Sequence, residues 1–209
     1  LKTHVEERGR LDPYEAARII IEVAKALVAT HKAGVIHRDV KPANVVIGKN
    51  GDVKLIDFGL SRDLRLNDEL TRSGGVVGTI MYMAPELFRG AEADQRVDVY
   101  SLGLTFYFLL TGRAPFSGCV ANEVIGGLAK LKKPSEGTDL PTGFRRVIEG
   151  MLARDPALRY ATADVVIREL ERLWELEVPG DDESDGFWLW EVKQDPATGS
   201  QAQRKGYAP

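Results

Sequence analysis

Residues 37–59 carry the sequence HRDVKPANVVIGKNGDVKLIDFG, and this stretch decides the fold. Two short runs rich in β-branched residues flank a polar segment that contains Asn50-Gly51, a dipeptide typical of hairpin turns. A hairpin at this point would bring Asn44 back towards Asp57. Carboxylate and carboxamide oxygens are hard ligands of the kind that suits Mg²⁺. The pattern therefore predicts a β-hairpin that can set Asp39, Asn44 and Asp57 around phosphate-bound Mg²⁺.

The same stretch resembles the catalytic loop of Ser/Thr protein kinases, and further motifs of that family follow it in order. The matching residues are His37-Arg38-Asp39, Lys41, Asn44, Asp57-Phe58-Gly59, Gly78-Thr79 and Ala84-Pro85-Glu86. A single tripeptide such as Asp-Phe-Gly usually marks a capped turn, but the ordered series is very hard to produce by chance. The resemblance covers about residues 1–175.

The resemblance implies a role for each polar residue of the catalytic loop. Asp39 would orient the substrate hydroxyl and accept its proton, and Lys41 would neutralise charge near the γ-phosphate of ATP. Asn44 would bind one Mg²⁺, and Asp57 would bind Mg²⁺ that bridges the β- and γ-phosphates. The expected cofactors are therefore ATP and Mg²⁺.

The resemblance also implies which hydroxyl is phosphorylated. Lys41 and Thr79 are similar to the Ser/Thr-specific pattern, whereas tyrosine-specific relatives have a different sequence between the Asp and the Asn of the catalytic loop. We therefore expect protein substrates with Ser or Thr acceptors, and we count Thr79 among the catalytic residues.

A second hypothesis concerns the long polar segment between residues 60 and 83. Arg38 lies beside the catalytic Asp, and a phosphate on Thr71 or Ser73 could pair with its guanidinium and order that segment. Hydroxyls in a loop are more often merely solvated, so regulation by phosphorylation stays a hypothesis.

Other motif residues are implied to be structural. Asp98 would hold the backbone of the catalytic loop, and Arg159 would pair with Glu86. His37 and Phe58 would pack in the interior, so His37 would not act as a general base. A buried Asp or Arg without a partner is costly, which makes both pairings checkable in the structure.

Half of the family's parts have no counterpart in the sequence: we find no Gly-rich phosphate loop and no strand with a lysine in a Val-Ala-x-Lys-like context. We expect this chain to be the C-terminal large lobe, a piece of something longer, whose missing N-lobe is a partner needed for activity. Val46 would then be the floor of an adenine site. A non-catalytic, kinase-derived binding module is the alternative, but the intact polar set of the catalytic loop favours the enzyme.

Helical periodicity predicts a mainly α fold. Asp12-Pro13-Tyr14-Glu15 carries the signals of a helix start, residues 97–111 read as a buried helix, and Thr162 is placed to cap the last helix. Another apolar stripe spans residues 144–152. The expected architecture is a protein-kinase-like C-lobe, a helical bundle with a small β-hairpin that carries the catalytic and Mg²⁺-binding loops.

The predicted domain boundary follows residue 175. Residues 1–175 form the partial kinase domain, and residues 176–209 form an acidic and aromatic tail that is partly disordered. The aromatic cluster of the tail, residues 187–190, either packs back on its own domain or binds a partner.

Composition bears on nucleic-acid binding, cellular location and membrane contact. The 209 residues include 28 Lys and Arg against 31 Asp and Glu, so no basic excess suggests nucleic-acid binding. The single cysteine, Cys119, fits a reducing compartment and therefore a cytoplasmic location. The longest apolar stretch, 102–110, is about half of the ~20 residues that a membrane span needs, so we expect no membrane contact from this segment. A membrane anchor outside this segment remains compatible with these observations.

Overall fold

The computed structural model describes residues 1–57, 80–90, 92–117, 119, 124 and 141–177, with side chains up to residue 173. It also describes the backbone of 189–195 and 199–205. The chain divides into two compact units, Leu1–Trp174 and Glu175–Pro209, which are taken separately below. The predicted boundary after residue 175 stays a prediction.

The described part of the first unit is mostly helical and has one small sheet, as predicted. Its elements are α1 (Lys2–Arg8), α2 (Pro13–Lys32), β1 (Val45–Ile47), β2 (Val53–Leu55), α3 (Arg96–Thr111), α4 (Thr142–Met151) and α5 (Ala163–Glu177), with 3-10 turns at Pro42–Asn44, Leu87–Arg89 and Pro156–Leu158. Helix α1 is short and was not predicted. None of the described helices is both long enough and apolar enough to cross a membrane.

Helix α2 begins where its capping residues predict. The Asp12 carboxylate accepts hydrogen bonds from the backbone N–H groups of Tyr14 (2.9 Å) and Glu15 (3.3 Å), and Pro13 fills the first turn. The helix ends before Gly34, which adopts the left-handed conformation (φ 75°) and turns the chain into the segment that leads to residue 37.

Helix α3 is the centre of the first unit. Every residue from 97 to 110 is buried, so the helix has no solvent-facing side over that length. Gly112 ends it in the left-handed conformation (φ 66°). Its first turn carries Asp98, whose side chain is fully buried and therefore requires hydrogen-bond partners.

The predicted β-hairpin is present and antiparallel. Its register pairs Val45 with Leu55, Val46 with Lys54, and Ile47 with Val53. One further hydrogen bond extends the pairing, because the N–H of Ile56 donates to the carbonyl of Asn44 at 2.9 Å. The hairpin therefore returns the chain from Asn44 to the residue next to Asp57.

Two paired strands lie in the second unit. They are β3 (Leu189–Asp195) and β4 (Gly199–Lys205), antiparallel, with Leu189 opposite Lys205. The sequence predicted a partly disordered tail and no hairpin there. Phe187 and Trp188 lie outside the described residues and Leu189 and Trp190 are described only as backbone, so the contacts of the aromatic cluster stay a prediction.

Candidate active site

Three of the predicted catalytic residues form one hydrogen-bonded cluster. The Lys41 ammonium donates to both carboxylate oxygens of Asp39, at 2.9 and 2.8 Å. The Asn44 amide nitrogen donates to Asp39 Oδ2 at 3.0 Å and to the Asp39 backbone carbonyl at 2.8 Å. One ammonium group and one amide group, both from the turn that follows Asp39, therefore hold its carboxylate, which is still partly exposed.

Asp57 directly follows the last hydrogen-bonded residue of the hairpin. The N–H of Ile56 donates to the Asn44 carbonyl, so Asp57 is one residue beyond this bond, and its side chain is exposed. Its φ of 57° is in the left-handed region, which a non-glycine residue seldom adopts, although Asp tolerates it better than most. Non-glycine residues in this conformation cluster at active sites and ligand-binding loops.

A second strained residue precedes Asp39, and Asp98 holds it in place. Arg38 has a φ of 62°, and its N–H donates to Asp98 Oδ1 at 2.8 Å. The N–H of His37 donates to Asp98 Oδ2, also at 2.8 Å. Asp98 therefore holds the backbone of the catalytic loop through two hydrogen bonds, as predicted.

Sequence reasoning missed one residue of this arrangement, His31. Its Nε2 lies 2.7 Å from Asp98 Oδ2, and the two side chains are only 7% and 0% exposed. The residues are 67 positions apart, so no local spacing connects them. Nothing in the sequence distinguishes His31 from Thr30 and Lys32, the other polar residues in the last turn of α2.

His37 is an interior residue, as predicted, and both ring nitrogens face the protein. The Asp39 N–H donates to His37 Nδ1 at 3.3 Å, and a backbone hydrogen bond joins the ring to Ile56. Burial lowers the pKa of His37, and the nearby Asp98 carboxylate, this hydrogen bond, Asp39 and Asp57 oppose that shift. A buried imidazole engaged in this way is not placed to take a proton from a substrate.

The lowered pKa of His37 predicts a loss of stability in acid. Below its ordinary pKa of 6.5 the unfolded chain binds a proton that the folded chain resists, so stability falls as pH drops towards the lower folded pKa. We expect thermal unfolding to show a larger fall in Tm between pH 7.5 and 5.5 for the wild type than for His37→Phe. Equal falls in Tm in the two proteins would contradict the lowered pKa of His37.

The predicted ion pair between Arg159 and Glu86 is also present. The guanidinium donates to both carboxylate oxygens, at 2.6 and 2.8 Å, and its Nε donates to the Ala153 carbonyl. The guanidinium carbon lies 4.6 Å from the centre of the Tyr100 ring. Burial raises the pKa of Tyr100 to about 12, although Arg159 acts against that shift. This pair fixes the segment after residue 84 to the turn before α5.

Of the other predicted site residues, the structure describes Val46, and the rest lie outside the described part of the chain. Val46 lies on the hairpin with its side chain exposed. Thr79, Phe58, Gly59, Thr71 and Ser73 lie outside the described residues. Within the part of the chain that the structure describes, no group of three or more His, Cys, Asp or Glu side chains could hold a metal ion.

Comparison with known proteins agrees with the motifs. The family model described as "Protein kinase domain" matches residues 1–170. "Probable serine/threonine-protein kinase PknB" of Corynebacterium glutamicum is 40% identical over 188 residues, which cover 83% of this chain and 28% of that protein. "Serine/threonine-protein kinase PknL" of Mycobacterium tuberculosis is 40% identical over 172 residues, which cover 81% of this chain and 43% of that protein.

A third relative extends the same finding. "Serine/threonine-protein kinase PknB" of Mycolicibacterium smegmatis is 38% identical over 184 residues, which cover 86% of this chain and 29% of that protein. The chain therefore belongs to the protein kinase domain family. It spans less than half the length of these relatives.

Proposed function

We propose that this chain is the large lobe of a Ser/Thr protein kinase, which transfers the γ-phosphoryl group of ATP to Ser or Thr hydroxyls of protein substrates. The observation that carries the proposal is the Asp39 carboxylate, held by Lys41 and Asn44, with Asp57 at the end of the hairpin that follows. The names of the relatives support the Ser/Thr specificity.

Asp39 is the proposed proton acceptor. Its carboxylate is partly exposed, so a substrate hydroxyl can approach it, and its backbone is anchored through Arg38 to Asp98. The Lys41 ammonium lies within 2.9 Å of the same carboxylate. Beside a bound substrate, that ammonium would stabilise negative charge on the transferred phosphoryl group.

Asn44 and Asp57 are the proposed residues for Mg²⁺. The Asn44 amide nitrogen donates to Asp39, and this orientation leaves the carboxamide oxygen as the atom for a cation. With the exposed Asp57 carboxylate it supplies two hard oxygen ligands, and Mg²⁺ commonly takes only one or two from protein when phosphates supply others. The donor set therefore fits Mg²⁺ bound together with a nucleotide. The cation would supply charge neutralisation at the phosphates.

A second lobe is the remaining part of the proposal. Val46 and Ile56 expose apolar side chains on the hairpin. We propose that the adenine ring lies over Val46 and that an N-lobe carrying the Gly-rich loop and a lysine completes the nucleotide site. A cytoplasmic location for this lobe follows from the single cysteine and stays a prediction.

Activity of the natural full-length protein tests the proposed function. We expect that protein to phosphorylate a generic Ser/Thr protein substrate with Mg²⁺-ATP, measured by transfer of radiolabelled phosphate. The 209-residue chain alone is expected to be about a thousandfold slower, since ~4 kcal/mol of nucleotide positioning is lost. Equal rates would refute the need for a second lobe. No transfer by the full-length protein would favour a non-catalytic binding module.

Phosphorylation of the segment after residue 60 is proposed as a regulatory step. The Arg38 side chain is exposed beside Asp39 and can accept a phosphate as an ion-pair partner. We expect mass spectrometry of the active protein to find phosphate on Thr71 or Ser73, and alanine at both to lower activity about tenfold. Active protein without phosphate at either position, and full activity of the double variant, would end this hypothesis.

A further inference from the structure

Three exposed arginines, Arg8, Arg10 and Arg113, come from two segments of the first unit. Arg8 is the last residue of α1, Arg10 lies in the link from α1 to α2, and Arg113 follows the end of α3. None of the three forms an ion pair within the part of the chain that the structure describes, whereas Arg159 and Arg168 each pair with a carboxylate. We call these three residues the arginine surface.

The two segments that carry the arginine surface lie against each other. The N–H of Leu11 donates to the carbonyl of Leu109 at 2.8 Å. A Cβ atom at Gly112 would lie only 3.2 Å from the backbone nitrogen of Arg10. Since Arg113 is the next residue after Gly112, the side chains of Arg10 and Arg113 start from neighbouring stretches of backbone.

The acidic residues that flank Arg8 and Arg10 in sequence do not neutralise the arginine surface. The Asp12 carboxylate caps α2. The Glu6 carboxylate lies 3.7 Å from the Lys2 ammonium. Glu7 alone is left against three guanidinium groups, so the surface keeps a positive charge although the whole chain has a net charge of -3.

The arginine surface borders the segment that follows the catalytic loop. Ile36, Tyr82 and Phe116 pack against one cluster of buried residues, and Phe116 is only three residues beyond the last of the arginines. Burial raises the pKa of Tyr82, and the negative charge of Glu6 adds to this rise, which places α1 near the same segment. A protein chain bound at Asp39 can therefore extend past residue 82 to the arginine surface.

The chemistry of the arginine surface favours carboxylates on a peptide. A guanidinium group donates two parallel hydrogen bonds to one carboxylate, which an ammonium group cannot do. Alternate side chains of an extended peptide are about 7 Å apart, so a short run of Asp and Glu can meet several arginines at once. A lipid surface commonly requires about four to eight basic residues, more than this surface offers.

We propose that Arg8, Arg10 and Arg113 form a docking surface for an acidic segment of the protein substrate, outside the site of phosphoryl transfer. This inference rests on the proposed kinase function and names its class of substrate: proteins with Asp and Glu close in sequence to the Ser or Thr acceptor. None of the three arginines belongs to the cluster around Asp39. The surface therefore sets the KM for the protein substrate and leaves kcat and the KM for ATP unchanged.

Direct binding tests the surface without any need for activity. The probe is a fluorescently labelled peptide with one Thr and a run of Asp and Glu, and the same peptide with Asn and Gln is its uncharged counterpart. By fluorescence anisotropy we expect the 209-residue chain to bind the acidic peptide about tenfold more tightly at low salt, and less so at high salt. The combined variant Arg8→Gln, Arg10→Gln and Arg113→Gln should lose this preference. Equal Kd values of the wild type for the two peptides would overturn the proposal.

The matched control removes three exposed cations from the end of α2, the hairpin turn and α5: Lys32→Gln, Lys49→Gln and Arg172→Gln. It has the same net charge as the first variant and should keep the tenfold preference. Loss of the preference in both variants would show a general effect of charge and would overturn the assignment. The reversed variant Arg10→Glu with Arg113→Glu should instead prefer a peptide in which Lys replaces Asp and Glu.

Kinetics of the natural full-length protein test the role in substrate selection. We expect the first variant to raise the KM for the acidic peptide about tenfold, with kcat and the KM for ATP within about twofold of the wild type. A fall in kcat with an unchanged peptide KM would contradict the proposal. Tighter binding of the chain to phosphatidylserine vesicles than to the peptide would overturn it in favour of a lipid surface. If the wild type transfers no phosphate, the proposed function fails, and anisotropy still decides whether the surface binds acidic peptides.

Discussion

Replacing Asp39 with asparagine in the natural full-length protein is expected to lower kcat by about three orders of magnitude, because general-base catalysis contributes roughly 10²–10⁴. Asparagine has the same shape but cannot accept the substrate proton. Its amide nitrogen would also face Lys41 or Asn44, and both of these side chains donate hydrogen bonds to Asp39 in the structure. The KM for Mg²⁺-ATP should change little, since Asp39 is not assigned to the nucleotide.

The matched control is Asp52→Asn. Asp52 is exposed in the hairpin turn, so the substitution makes the same change of charge without touching the cluster. We expect its kcat to equal that of the wild type, and both variants to keep the wild-type Tm within a few degrees. A kcat above about a tenth of the wild-type value in Asp39→Asn would refute the assignment of Asp39 as the proton acceptor.

Loss of the Arg159 side chain should produce the largest fall in stability. We expect Arg159→Met to lower the free energy of unfolding by about 3–5 kcal/mol, because removal of one partner leaves the other charge buried and unpaired. The guanidinium side chain is 0% exposed and Glu86 is 13% exposed, so solvent offers Glu86 little compensation. The carbonyl of Ala153 would also lose its donor. Chemical denaturation of the 209-residue chain measures the change.

Arg168→Met is the matched control for this experiment. Arg168 also pairs with a carboxylate, that of Asp164 at 2.9 Å, but the two side chains are 67% and 54% exposed. An exposed pair contributes about 0–1 kcal/mol, so this variant should be nearly as stable as the wild type. The double variant Arg159→Met with Glu86→Leu should recover part of the loss, since it leaves no buried charge. Similar losses in Arg159→Met and Arg168→Met would contradict the account.

Local chemistry made much of the fold predictable from sequence. Asp12 caps α2 because its carboxylate reaches N–H groups only two and three residues away. Thr162 likewise accepts a hydrogen bond from the N–H of Val165 at the start of α5. The hairpin follows from Asn50-Gly51 and its flanking runs. In each case the residues that decide the structure are close in sequence, so a short pattern contains the whole interaction.

The parts of the site that sequence did not predict depend on tertiary contacts. His31 and Asp98 meet because α2 and α3 pack together, and nothing near residue 31 indicates that a carboxylate will be there. The left-handed backbone of Arg38 depends on the same distant carboxylate. Asp98 and the Arg159–Glu86 pair were expected only through family resemblance, because spacing alone could not have paired residues more than 60 positions apart.

The hairpin in the second unit shows a different limit of sequence reasoning. Residues 199–205 are mostly polar and begin with Gly199, a poor strand former, so composition favoured disorder. Their pairing with 189–195 is a backbone feature that side-chain patterning does not encode.

A crystal structure of the full-length protein with Mg²⁺ and a non-hydrolysable ATP analogue tests the central claim most directly. We predict a cation at about 2.0–2.1 Å from both the Asn44 carboxamide oxygen and an Asp57 carboxylate oxygen, or two cations that share the same phosphates. Asp57→Asn should weaken or remove that cation. A nucleotide whose cation lies away from both residues, with Asp39 remote from the γ-phosphate, would contradict the account.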